Sequence, residues 1–85
     1  GGVRLMVTFE FNGLQFEADD DVLTDYEFVC DVLTADDDPA ALVRCFKAVF
    51  AGRDREYAKK LGGKFATMGK LLEAAIKAAG EPAKN

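Results

Sequence analysis

At 85 residues, 49 % of them hydrophobic, with a formal charge of −4 and an isoelectric point near 4.7, the chain forms one domain over residues 1–85, near the size at which a single core just suffices without a partner. It contains no histidine, no serine and no Cys-x-x-Cys pair, so a transition-metal centre would have to be built from carboxylates alone and no Ser nucleophile or His base is at hand; no Gly-rich phosphate loop follows a strand, and the expectation is a protein without a cofactor that is not an enzyme. No apolar run approaches the roughly 20 residues of a membrane span and no basic segment leads into an apolar one, so the chain is expected in the cytosol, off the membrane.

The first element is a hairpin, read over about residues 4–18. Leu5, Val7, Phe9 and Phe11 alternate with Met6, Thr8 and Glu10, the period-2 pattern of a half-buried strand. Asn12-Gly13 supplies a two-residue turn whose central positions need φ > 0, which sets Phe11 opposite Leu14 and Phe9 opposite Phe16. A lone hairpin is marginal in water, so the face of Leu5, Val7, Phe9, Phe11, Leu14 and Phe16 requires a cover of helices.

Four helices are predicted to provide it, over about 24–35, 39–51, 54–61 and 67–79. The first opens on a Thr24-x-x-Glu27 capping box with Leu23 and Phe28 as a hydrophobic staple, and ends at Asp36-Asp37-Asp38. Asp38-Pro39 caps the second, which Gly52 stops. Gly62-Gly63 stops the third, and Gly80 with Pro82 the fourth, leaving 81–85 as a frayed tail. The fourth turns Met68, Leu71, Leu72, Ala75, Ile76 and Ala79 inward and Lys70, Glu73 and Lys77 outward. The fold class is therefore α+β: an N-terminal β-hairpin followed by three to four short helices packed on one face.

The first two helices carry more apolar surface than this needs. At 100° per residue, Tyr26, Phe28, Val29, Cys30, Val32 and Leu33 span about 200° of the first helix, against a stripe somewhat over 100° for an ordinary surface helix. The second repeats the excess with Leu42, Val43, Cys45, Phe46, Val49 and Phe50. Either both helices are central in the domain, or part of their surface meets another chain.

Charge is divided along the chain. Residues 1–43 hold eleven acidic side chains and one basic, a net of −10, and residues 44–85 hold ten basic and four acidic, a net of +6. Such polarity suits head-to-tail contact between copies, and it equally suits two halves that fold across one another. The acidic runs at 19–21 and 36–38 lack calcium-loop spacing and read as caps and loops. The lysines at 59, 60, 64, 70 and 77 lack interleaved exposed aromatics, so no nucleic-acid partner is expected. Cys30 and Cys45 read as small buried hydrophobes rather than a disulfide.

The stretch "LTDYEFVCDVLTADDDPAALVRCFKAVFAGRDREYAKKL" adds a resemblance. A short hairpin, an acidic stretch, an Asp25-Tyr26-Glu27 helix opening, an acidic break with proline, a helix ending in an apolar pair and Gly52, then a charged helix, together resemble the small tail assembly chaperones of long-tailed bacteriophages. The aromatic of the Asp-aromatic-Glu opening is tryptophan in that family and Tyr26 here. The resemblance implies a non-enzymatic protein of the bacterial host cytoplasm that coats the helical tape-measure protein until tail tube subunits polymerise around it, often with a minority frameshifted longer product. It also implies a helix-in-groove site lined from the first two helices, anchored by Tyr26, Phe46, Val49 and Phe50, with many copies acting by avidity. The competing class is a small bacterial regulatory or adaptor domain that buries the same faces in an obligate homo-oligomer.

Overall fold

Strand β1 (Met6–Phe11) and strand β2 (Leu14–Asp19) form a two-stranded antiparallel hairpin in the computed structural model, which describes residues 6–80. Phe11 faces Leu14, Phe9 faces Phe16 and Val7 faces Ala18, the register that the turn sequence predicts. Asn12 and Gly13 take φ values of 53° and 78°. At Gly13 an added Cβ would meet nothing within 4 Å, so the constraint is purely one of backbone conformation. Gly13→Val is expected to cost about 1–2 kcal/mol, since a β-branched residue resists the left-handed region; an unchanged melting temperature would contradict the turn. Leu5 and residues 81–85, expected as strand and frayed tail, lie outside the described residues.

Five helices succeed the hairpin among the described residues: α1 (Asp20–Leu23), α2 (Tyr26–Thr34), α3 (Pro39–Val49), α4 (Asp54–Lys60) and α5 (Phe65–Gly80). The one-turn α1 is not expected from the sequence, where Asp19-Asp20-Asp21 reads as cap or loop, and Asp19 is indeed a cap. It forms because the Asp19 carboxylate accepts from the N–H groups of Asp21 (3.0 Å) and Val22 (3.4 Å). That turn claims Thr24, whose N–H donates to the Asp21 carbonyl at 3.3 Å, so the predicted Thr24 capping box does not form. Asp25 caps α2 instead, accepting from the Glu27 N–H at 3.2 Å. Asp38 caps α3 with Pro39 in the first turn, as predicted.

Helix α3 ends at Val49, with Phe50 as its C-cap, slightly short of the expected boundary before Gly52. Ala51 adopts φ 53°, its N–H donates to the Ala48 carbonyl (3.3 Å), and the Gly52 N–H reaches back to Lys47 (2.9 Å), a Schellman turn with alanine in the left-handed position. Helix α5 begins at Phe65 rather than Thr67, with the Met68 N–H donating to the Lys64 carbonyl at 3.2 Å.

Helix α5 lies over β1 and against α3, and α2 packs on α3. The core holds Phe9, Phe16 and Ala18 of the hairpin, Cys45, Phe46, Val49 and Phe50 of α3 and its cap, and Met68, Leu71, Leu72 and Ala75 of α5. Tyr57 of α4 joins them: its ring meets Phe16 edge-on at 4.9 Å and Phe50 at 5.3 Å. Its hydroxyl accepts from the Glu17 N–H (3.3 Å) and donates to the Glu17 carbonyl (3.4 Å), which ties the outer side of β2 to α4. Leu14, at the tip of the apolar hairpin face, is exposed.

Candidate functional site

The apolar excess of the first two predicted helices resolves differently in each. Helix α3 is central: Ala41, Cys45, Phe46 and Val49 are buried, and so is Phe50 at its C-cap. Phe46, Val49 and Phe50, predicted as anchors of a docking groove, are therefore core residues. The reason is α4 and α5, which fold back so that Tyr57 covers Phe50, while Phe65 stacks edge-on against Phe46 at 5.7 Å. Of the four predicted anchors only Tyr26 is exposed, with 78 % of its surface accessible.

Helix α2 keeps its excess outside. Phe28 alone is buried, and Tyr26, Val29 and Leu33 are exposed at a spacing of three and four residues, one continuous stripe. The ion pair of Asp31 with Arg44 (3.0 Å) fixes which side of α2 meets α3. The stripe lies about 140–160° round the helix from Asp31, turned away from α3. The Tyr26 phenol is pushed above its usual range by its side-chain interaction with the Cys30 thiol one turn on. Burial, and after it the nearby Asp31 charge, raises Cys45; both cysteines are free thiols.

A second apolar feature was not anticipated. Because α2 packs on α3 rather than on α5, a groove runs along α5. It has a volume of 270 Å³ and is walled by Val32, Leu42, Leu72 and Ile76, with Asp36 and Glu73 also lining it. A separate hollow of 130 Å³ shares Ile76 with it and reaches Leu23 and Ala79. Gly69 stands in the wall with open space where a side chain would be. An isolated glycine inside a helical pattern was the available sequence signal for this gap. The two hollows together border about 15 Å of α5, from Gly69 to Ala79, about three helical turns.

On the other side of α3 a hollow of 230 Å³ opens between α3, α4 and the start of α5, walled by Val43, Phe46, Ala58, Phe65 and Met68, with Asp54, Arg55 and Lys64 also lining it. The opposed charges are neutralised only in part inside the domain. Arg44 pairs with Asp31 and lies 3.8 Å from Asp38, and Arg53 pairs with Glu17 at 3.5 Å. Lys47 pairs with the buried Asp54 (3.5 Å). Among the described residues Asp25, Glu27, Asp36 and Asp37 make no ion pair, nor do Arg55, Lys59, Lys60 and Lys64.

Among the described residues no group of three His, Cys, Asp or Glu side chains is placed to hold a metal ion, and no helix is long and apolar enough to cross a membrane. The surface chemistry is thus that of apolar helix faces beside separated charge. The chain matches no family model, no curated protein and no solved structure.

Proposed function

We propose that this domain is a non-enzymatic tail assembly chaperone of the long-tailed phage type, acting in the bacterial host cytoplasm and holding an apolar face of the tape-measure protein in the α5 groove until tail tube subunits replace it. The observation that supports this reading is the groove itself: about two turns of α5 long, lined by Val32, Leu42, Leu72 and Ile76 with Asp36 and Glu73 beside them, and left open by Gly69. A preformed apolar slot of helical length between helices is the geometry of helix-in-groove recognition, in which anchors at i, i+3 or i+4, and i+7 of the guest enter successive hollows. One such contact is weak, and a long repetitive helical client engages many copies at once, which turns weak contacts into a durable coat.

Gly69→Leu tests the groove without weakening the fold. Leucine is a better helix former than glycine by about 0.5–1 kcal/mol, and here its side chain projects into the open slot. The expected result is a melting temperature at or above that of the wild type together with a loss of client binding of about 2 kcal/mol, read as the failure to keep a co-expressed tape-measure protein from the neighbouring gene in the soluble fraction. A stable Gly69→Leu variant that still keeps this client soluble would overturn the assigned groove. The absence of any effect of the wild-type domain on such a client would overturn the function.

A further inference from the structure

We propose that the outer edge of β1 takes up an extended, basic segment of another protein as a third strand of the sheet. The hydrogen bonds of the hairpin show that this edge is open. Glu17 turns its N–H and its carbonyl outward, to the Tyr57 hydroxyl, and Glu17 faces Thr8 in the hairpin register. In an antiparallel ladder a facing pair exchanges both bonds or neither, so Thr8 exchanges none with Glu17 and points its own N–H and carbonyl away from β2. Glu10, two residues on, does the same. Among the described residues none of these groups meets a hydrogen-bond partner.

The strand carries little to close that edge. It has no proline and no lysine, and its pairing runs from Met6 to Phe11 without a bulge. Helix α5 lies over one face of β1, where Phe9 is buried, and Thr8 and Glu10 are exposed on the other. Backbone groups that recur at every second residue, roughly 6.8 Å apart, are matched by a second extended chain; a helix has already spent its own N–H and carbonyl groups internally. A third strand also strengthens a sheet that with two is marginal.

Side chains then select the guest. Those aligned with Val7, Phe9 and Phe11 stand on the α5 side, next to the half-buried Val7 and Phe11, and are apolar; those aligned with Thr8 and Glu10 face water. Glu10 makes no ion pair among the described residues, so a lysine or arginine beside it gains a cross-strand partner. Arg53 and Lys60 do not compete for that place: they line a hollow with Glu17 and Glu56, and Arg53 is paired with Glu17. A second copy of the chain is a poor guest. Residues 6–23 hold five acidic side chains and no lysine or arginine, so two hairpins joined edge to edge would bring acid to acid. The addition uses a surface apart from the α5 groove and does not rest on the client reading.

The test is an isotope-labelled domain titrated with a capped peptide of alternating lysine and valine, followed by its amide resonances and by hydrogen exchange. In the free domain the Thr8 and Glu10 amides are expected to exchange about tenfold or more faster than that of Glu17. With peptide in excess both become protected by about tenfold or more, and their signals move while those of α2 stay in place. The same peptide N-methylated on its lysines, which in an antiparallel addition are the residues that bond to Thr8 and Glu10, is expected not to bind. Glu10→Lys should weaken the lysine peptide by about fivefold or more and accept instead a peptide of alternating glutamate and valine. Thr8→Pro removes an outward N–H and no ladder bond, so a variant folded by circular dichroism should bind about tenfold more weakly. Gly69→Leu should bind as the wild type does. Thr8 and Glu10 amides that stay unprotected at millimolar peptide, an N-methylated peptide that binds as well as its parent, a glutamate peptide that the wild type takes equally, or shifts confined to α2 would each overturn the proposal. So would protection of both amides that grows with domain concentration in the absence of peptide, since the guest would then be a second copy.

Discussion

Phe50→Asp is expected to unfold the domain. Phe50 is 1 % exposed, at the point where α3 ends, and its ring meets that of Tyr57 at 5.3 Å. The substitution removes a large buried aromatic, a loss of about 3–5 kcal/mol, and leaves an unpaired carboxylate in its place, which costs several more. A domain of this length has about 4–13 kcal/mol in total at about 0.05–0.15 kcal/mol per residue, so the two losses together remove most or all of it. Circular dichroism should show no cooperative thermal transition. A variant that melts cooperatively within a few degrees of the wild type would place Phe50 outside the core and restore it as a surface anchor.

Phe16→Ala is expected to be the next most damaging change, at about 3–5 kcal/mol. Phe16 sits between its cross-strand partner Phe9, whose ring centre is 6.1 Å away, and Tyr57 at 4.9 Å, and is 1 % exposed. It is the side chain through which the hairpin is fastened to the helices, and a hairpin not so fastened has little stability of its own. Leu14→Ala, on the same face but 40 % exposed, is the control and should cost under about 1 kcal/mol. Urea denaturation of both variants reads the difference as a shift in midpoint. Equal shifts would mean that the helices do not grip the hairpin at Phe16.

What could be foreseen from the sequence was what local chemistry decides. Asn12-Gly13 fixes the turn and hence the pairing of Phe9 with Phe16, and Asp38-Pro39 fixes the start of α3, because in each case the residues that set the backbone are adjacent. The entry to α2 was not legible, since Thr24 and Asp25 are both competent caps. The choice falls to α1, a single turn that exists because Asp19 holds two N–H groups and that draws Thr24 into its own end. Helix α5 starts two residues before the predicted Thr67, at Phe65.

The candidate site was less legible than the fold. Periodicity put Phe50 at the margin of an apolar arc, and nothing within α3 could say that Tyr57, seven residues on, would cover it. Tyr26 was read as accessible and is, because no later element packs beyond α2. Ile76, expected inward but exposed, and Val43 matter through the space between two helices, a property of how far apart the helices lie, and only Gly69, an isolated glycine in a helical pattern, hints at it.

The Tyr57 hydroxyl, bonded to both the N–H and the carbonyl of Glu17, has a consequence for how the domain can meet other chains. Those two groups belong to the edge of β2 that faces away from β1, and in a two-stranded sheet such an edge is an open template on which a passing extended segment can form a third strand. With the phenol seated on its middle residue, an incoming strand would find the central pair of bonding positions already taken and would have to displace a buried aromatic to claim them. Tyr57 thereby shields the outer edge of β2 from edge-to-edge growth.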